Sequence, residues 1–144
     1  MSHFSEIAAV DLGSNSFRLQ LARVVDGRLV FHDSLREPVM LGAGLDADKN
    51  LDPAAQKRAI LCLQKFSERL RDLPPEAVRA VATNTFRVAK NAPQLLQEAQ
   101  AALGFPIEII AGIEAVYFAI GTCGVWTHLD GEVVHIALEV SQVK

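Results

Sequence analysis

The pattern near the N-terminus restricts the possible folds most. Residues 6–12 (EIAAVDL) form a short apolar run that stops at Gly13, as a buried strand does. Residues 16–25 then alternate, with Phe17, Leu19 and Leu21 on one side and Arg18, Gln20 and Ala22 on the other. Asp26-Gly27 comes next, a strong two-residue hairpin signal, and a third strand is expected from Arg28 to about His32. Three antiparallel strands therefore open the domain.

Beyond these strands the chain reads as alternating helices and strands. A Gly-rich connection, LGAGLDADKNL from Leu41, leads to a helix with Asp52 as N-cap and Pro53 at its first position. Apolar residues recur there at Ile60, Leu63, Phe66, Leu70 and Leu73, and Pro74-Pro75 end the run. Residues 78–83 (VRAVAT) read as a strand. Asn91 is expected to cap a second helix bearing Leu95, Leu96, Ala99 and Leu103, with Gly104 as its C-cap. Residues 107–111 (IEIIA) form a further strand and residues 114–120 a short apolar helix. The order is β-β-β-α-β-α-β-α, an antiparallel group continued by parallel βα units. Residues 126–131 read as a loop. Residues 132–140 (EVVHIALEV) alternate like one more strand, either pairing at a sheet edge or opening a further unit.

Composition narrows the class. At 144 residues, about two-thirds of the unfolded surface can be buried, enough for one core. Half the residues are hydrophobic and 22% are charged, which excludes a disordered chain. A formal net charge of −3 argues against a general nucleic-acid binder. No apolar run approaches the ~20 residues of a membrane span. The N-terminal residues lack the basic and apolar regions of a secretory signal, so a cytoplasmic protein is expected. Two cysteines, Cys62 and Cys123, stand without CxxC spacing and read as reduced thiols, a disulfide between them remaining the alternative.

Three segments could carry chemistry. In Asp11-Leu12-Gly13-Ser14-Asn15-Ser16, a buried strand ends on a carboxylate and enters a turn of Gly and small polar residues. Such a turn can aim backbone N–H groups and the Ser14, Asn15 and Ser16 side chains at a phosphate, with Asp11 beside it as a metal ligand. The local alternative is a tight polar turn in which Asp11 bonds its own backbone. Thr83-Asn84-Thr85-Phe86-Arg87 comes after a parallel strand, at the carboxyl end where open α/β sheets bind ligands, and Arg87 could take phosphate in a bidentate contact or simply be solvated. In Gly112-Ile113-Glu114-Ala115 the carboxylate is either a general base on an attacking water or a residue favourable to the helix dipole. His3, His32, His128 and His135 are too scattered for a zinc site. A ribonuclease-H nuclease would need Asp11 with an acidic partner such as Glu68 and a third carboxylate that the 78–83 strand lacks. No motif supports Ser-His-Asp catalysis.

VDLGSNSFRL, LGAGL, ATNTFR with AKNA, and IEIIAG occur in the order found in the exopolyphosphatase/guanosine pentaphosphate phosphatase family, which this sequence resembles over about residues 6–121. The resemblance implies an α/β domain of ribonuclease-H-like (actin-like ATPase) type over residues 1–124, with residues 125–144 as an extension. It implies Mg²⁺-dependent phosphoanhydride hydrolysis acting on polyphosphate or a phosphorylated guanosine nucleotide. Asp11 matches the metal-side carboxylate, Gly13, Ser14, Asn15 and Ser16 the first phosphate loop, Arg87 the phosphate-binding arginine, and Glu114 the catalytic carboxylate that activates water. No nucleic-acid or membrane partner is expected, and a homodimer is.

The sequence departs from the family pattern twice. Gly-Ile-Glu-Ala stands where the family has Gly-x-Glu-Glu-Ala. Residues 135–141 (HIALEVS) carry no glycine where a second, Gly-rich phosphate loop is expected. The expectation is a phosphoanhydride hydrolase domain that is incomplete in this chain. The alternative is a non-catalytic phosphate-binding or dimerising half-domain.

Overall fold

A computed structural model describes residues 5–26, 28–82, 85–109, 124–129 and 132–137. Strand β1 spans Glu6–Leu12, β2 Phe17–Val25 and β3 Arg28–Glu37. Helix α1 spans Pro53–Leu70, strand β4 Val78–Ala82, helix α2 Thr85–Val88, helix α3 Ala92–Leu103 and strand β5 Glu108–Ile109. Short 3₁₀ turns lie at Gly42–Gly44 and Pro75–Ala77. Strands β6 (Gly124–Leu129) and β7 (Glu132–Ala137) complete the described elements.

Five strands form one sheet in the order β3-β2-β1-β4-β5. The β1–β2 and β2–β3 pairs are antiparallel, and β4 and β5 continue from β1 in parallel. This mixed sheet is the expected three-strand group joined to βα units. Its tightest connection is Asp26-Gly27: Val25 pairs with Arg28, and Asp26 takes the left-handed φ of 50° that a two-residue hairpin demands. β1 lies in the middle because six of its seven residues are buried and none need face water.

Alternation along β1 assigns its two faces. Ala8, Val10 and Leu12, with Leu21, Leu19 and Phe17 opposite them on β2, point into the main core. There α1 presents Ala55, Ala59, Leu63, Phe66 and Leu70, and α3 presents Leu95, Ala99 and Leu103. The other face carries Ile7, Ala9 and Asp11, with Ala22, Gln20 and Arg18 as their partners. The described helices therefore pack on one side of the sheet, and Asp11 stands on the opposite side.

Several boundaries fall where the local chemistry puts them. The Asp52 side chain accepts from the Ala55 N–H at 2.6 Å, and Pro53 opens α1. Gly104 ends α3 at φ 86°. Gly44 allows the connection to lie on α1, since a Cβ there would stand 2.4 Å from the Ala55 Cβ.

The structure corrects four readings. α1 stops at Leu70, and Leu73 folds back by donating its N–H to the Leu70 carbonyl, because residues before Pro74 are pushed out of the helical region. β3 runs five residues past His32 to Glu37. A bulge between Leu21 and Ala22 leaves His32 outside the ladder, which breaks the alternation that would have revealed the rest of the strand. Residues 124–129, expected to be mostly loop, are strand β6. They pair antiparallel with β7 alone, Leu129 opposite Glu132, across Asp130-Gly131, the same dipeptide that joins β2 to β3. Asn91 precedes α3 but its side chain does not cap it. The 114–120 helix and Glu114 lie outside the described residues, as does Cys123. Cys62 carries a free, buried thiol. No helix among the described residues is long and apolar enough to cross a membrane.

Candidate functional site

Three segments meet at the carboxyl end of β1. The first is the turn 13–16 itself. Its ends are held by the Gly13 N–H donating to the Ser16 carbonyl at 3.1 Å, and a Cβ on Gly13 would stand 3.0 Å from that oxygen. The second is the LGAGL connection. The Gly42 N–H donates to the Ser14 carbonyl and the Met40 N–H to the Asn15 carbonyl, both at 2.8 Å. The third is the start of α2, where buried Thr85 shares a 2.8 Å hydroxyl–hydroxyl bond with Ser14.

These bonds fix the direction of the loop amides. A trans peptide unit points its C=O and N–H opposite ways, and the described chain has no cis bond. With the Ser14 and Asn15 carbonyls turned toward residues 40–42, the N–H groups of Asn15 and Ser16 point away from them. Neither N–H donates to another described residue. Two successive outward N–H groups beside small hydroxyls are the arrangement by which a backbone turn can receive an anion.

Met40 adopts φ 53°, a conformation that costs a side-chain-bearing residue about 1–2 kcal/mol. It is held from α1: Arg58 Nε donates to the Val39 carbonyl at 2.9 Å and Nη2 to the Met40 carbonyl at 3.3 Å. A comparable brace lies on the far side of the connection. The Asn91 amide accepts from the Leu51 N–H at 2.9 Å and donates to the Leu51 carbonyl at 3.0 Å. The Lys90 N–H donates to the Lys49 carbonyl at 2.8 Å. The connection is therefore tied to the stretch that carries Arg87.

Of the residues singled out in the sequence, Gly13, Ser14, Asn15 and Ser16 form the loop. Asp11 is 4% exposed, at the end of β1 on the face away from α1. Arg87 is exposed on α2, two residues beyond Thr85, and engages no described residue. Glu114 is outside the described residues. Glu68 lies on α1, across the sheet from Asp11, so the nuclease pairing does not form. Sequence reading misses Thr85 as the partner of Ser14, and it misses Arg36, whose Nε lies 3.4 Å from the Ser16 Oγ. No local pattern marks either contact, because each joins segments far apart in sequence.

The donor set suits a hard divalent cation. Among the described residues no group of three His, Cys, Asp or Glu side chains gathers, so no all-protein cage forms. Asp11 is the buried carboxylate among the described residues, at the end of the strand that leads into Ser14 and Ser16.

The model of the Ppx/GppA phosphatase family matches residues 21–138. Among solved structures, the Ppx/GppA phosphatase of Aquifex aeolicus is 27% identical over 81% of this chain and 39% of its own, with a TM-score of 0.73. An exopolyphosphatase-like protein is 26% identical over 82% of this chain and 37% of its own, with a TM-score of 0.70. An exopolyphosphatase from Cytophaga hutchinsonii, 24% identical over 79% of this chain and 36% of its own at a TM-score of 0.72, shares the fold. The chain spans under two-fifths of the length of these three relatives.

Proposed function

The chain belongs to the Ppx/GppA phosphatase family, and on that premise we propose that it binds the terminal phosphoryl group of polyphosphate or guanosine pentaphosphate as one flank of a hydrolytic site. The observation that carries this reading is the pair of outward N–H groups at Asn15 and Ser16, enforced by the 2.8 Å bonds from Gly42 and Met40.

In this reading the loop amides and the Ser14 and Ser16 hydroxyls hold the non-bridging oxygens of the terminal phosphoryl group. Arg87, reaching in from α2, supplies a bidentate cationic contact, and the Ser14–Thr85 bond keeps α2 in place beside the loop. Asp11 would hold Mg²⁺, which when bound neutralises charge on the phosphate oxygens. Glu114, by its family match, takes a proton from water as the water oxygen bonds to phosphorus. The P–O bond to the bridging oxygen breaks, and that oxygen leaves with the electron pair. Phosphoryl transfer depends mainly on positioning and on charge stabilisation from both sides of the group. The reducing cytoplasm fits the free Cys62 thiol.

A second reading, a phosphate-binding module without turnover, is favoured by one observation: residues 135–141 (HIALEVS) carry no glycine where a second phosphate loop is expected. One assay separates the two. Mg²⁺-dependent phosphate release from long-chain polyphosphate is measured for the chain and for Glu114→Ala. Release that disappears in Glu114→Ala establishes hydrolysis and removes the second reading. No release, with polyphosphate binding weakened by Arg87→Ala, establishes the second reading and removes hydrolysis by this chain.

A further inference from the structure

Strand β3 is an edge of the five-stranded sheet, and among the described residues no other strand pairs along its outer side. Edge strands are commonly short or carry Lys or Pro, which blocks pairing with a second chain. β3 is ten residues long and has neither. It also leaves two large apolar side chains half in water, Val30 and Phe31, each 48% exposed.

Backbone bonding fixes which groups of β3 face outward. The Val24 N–H donates to the Ser5 carbonyl at 2.9 Å, on the β1 side of β2. Antiparallel partners alternate, so the even-numbered residues of β2 bond β1 and the odd-numbered ones bond β3. Opposite Arg23, Leu19 and Phe17 stand Val30, Leu35 and Glu37, whose backbone groups are therefore used inside the sheet. Those of Leu29, Phe31, Ser34 and Arg36 point away from it. The parity changes between Phe31 and Ser34 because the bulge at His32 adds one residue. In a regular strand the outward groups fall on alternate residues, and pairing with a copy can centre only on one residue. In β3 they lie symmetrically about the point between His32 and Asp33.

We propose that β3 is a dimerisation edge, pairing antiparallel with β3 of a second copy, Phe31 opposite the partner's Ser34 and Leu29 opposite the partner's Arg36. This is the one antiparallel self-pairing in which all four outward residues meet outward residues. Faces match as well. Phe31 and Ser34 lie on the Asp11 face, opposite Ala22 and Gln20, while Val30 and Leu35 lie on the helix face, opposite Arg23 and Leu19. Exposed Val30 is then covered by the partner's Leu35. Charge agrees with this register, which sets Arg28 opposite the partner's Glu37 and His32 opposite the partner's Asp33. A shift of one residue sets Asp33 against the partner's Asp33 in one direction and Arg28 against the partner's Arg36 in the other. The Ser34 N–H, which donates to Asp33 Oδ1 at 2.9 Å in an exposed bond, exchanges that acceptor for the carbonyl of the partner's Phe31. The product is a continuous sheet with two-fold symmetry, and it does not depend on the phosphate reading.

Sedimentation equilibrium of the full chain from about 1 μM to about 1 mM tests this, because an interface of one strand pair is small and its dimer concentration-dependent. A dimer that grows across the range is expected. Phe31→Lys should weaken it by at least about tenfold, since Lys on an edge opposes pairing. Val88→Lys removes an exposed apolar side chain from α2 instead and should leave it unchanged. A chain still monomeric at about 1 mM would overturn the proposal. So would equal loss in both variants, which marks general stickiness, or a Phe31→Lys chain that dimerises as tightly as the unmodified one. A cross-link reads the register, and it decides the matter if thermal melting shows that Phe31→Lys does not fold. Phe31→Cys and Ser34→Cys are combined in a Cys123→Ser background. Across the pair these positions stand about 5.5 Å apart at Cα, within disulfide reach. Within one chain, three residues along a strand, they are about 10 Å apart and out of reach. Mild oxidation should give a covalent dimer from the double variant and from neither single variant. No covalent dimer from the double variant, or an equal yield from a single one, would overturn the pairing.

Discussion

Arg58 holds the carbonyls of Val39 and Met40 from α1, and its replacement by Met should loosen the phosphate loop without touching any ligand. A hydrogen bond to a charged donor contributes about 1.5–3 kcal/mol when well shielded. Arg58 is exposed, and one of its two bonds is long at 3.3 Å, so roughly 1–2 kcal/mol for the pair is the better figure. For a domain of this size that lowers the melting midpoint by about 3–6 °C. The effect on binding has a separate origin. Without the guanidinium, Met40 is free to leave its φ of 53°, and the Met40 and Gly42 N–H groups lose their hold on the Asn15 and Ser14 carbonyls. The outward amides then lose their alignment, and tripolyphosphate affinity should fall about tenfold. Met40→Gly supplies the control, since glycine adopts positive φ without strain. In that background Arg58→Met should cost far less affinity, a coupling of about 0.5–3 kcal/mol in the double-mutant cycle. The assay is paired: urea unfolding for stability and calorimetric titration for affinity. An Arg58→Met chain that is less stable yet binds tripolyphosphate within about twofold of the unmodified chain refutes the reasoning. So does a Met40→Gly background that gives no rescue.

Three further outcomes are expected from described contacts. Thr85→Val keeps the side-chain shape but removes the 2.8 Å bond to Ser14; tripolyphosphate binding should weaken several-fold, and Thr85→Ser should restore it, as read by titration. Asn91→Asp keeps the acceptor for the Leu51 N–H but sets a carboxylate oxygen against the Leu51 carbonyl, so thermal melting at pH 7 should show a loss of about 1–3 kcal/mol. A pure helix cap would accept Asp without loss, and an unchanged midpoint would sink the clamp. Burial, with a smaller contribution from the nearby Glu37 charge, pushes the Cys62 thiol up to about 12 from 9.0. The folded state then holds its proton while the unfolded chain releases it. This thiol should make stability fall as pH rises from about 9 toward 12, by up to about 1.4 kcal/mol per pH unit, a contribution that Cys62→Ala should remove from the slope.

Local chemistry decides what is legible in the sequence. β1 is legible as a continuous apolar run that stops at Gly13, and β2 because period-two burial and the Asp26-Gly27 turn are encoded by neighbours. α1 begins where expected because Asp52 and Pro53 act within one turn. The lower end of β3 is not legible, since a bulge shifts the alternation and an edge strand has no need of apolar residues on its outer side. β6 is hidden for another reason: Asp130-Gly131 carries the same turn signal as Asp26-Gly27, but the residues before it lack the clear alternation of β2. At the site, the loop residues 13–16 are visible as a motif. The contacts that aim them, from Met40, Gly42 and Thr85, are not, because nothing local fixes which distant group a hydroxyl or carbonyl will meet. Asn91 shows the conflict most clearly. Its neighbours recommend a cap, and its amide instead bonds Leu51, 40 residues earlier.

The bond between Ser14 and Thr85 spans 71 residues of chain. The β1–β2–β3 group can form early, since its contacts are close in sequence and little loop entropy opposes them. The amides of the turn take their direction once residues 40–42 have closed on it, but the Ser14 hydroxyl gains its fixed partner only after β4 has docked beside β1 and α2 has come in after it. During synthesis, a nascent chain shorter than about 85 residues carries the whole DLGSNS motif and the segment that turns its amides, yet lacks the group that holds the Ser14 hydroxyl. An anion that binds the finished loop would favour completion of the whole domain over every partly assembled form.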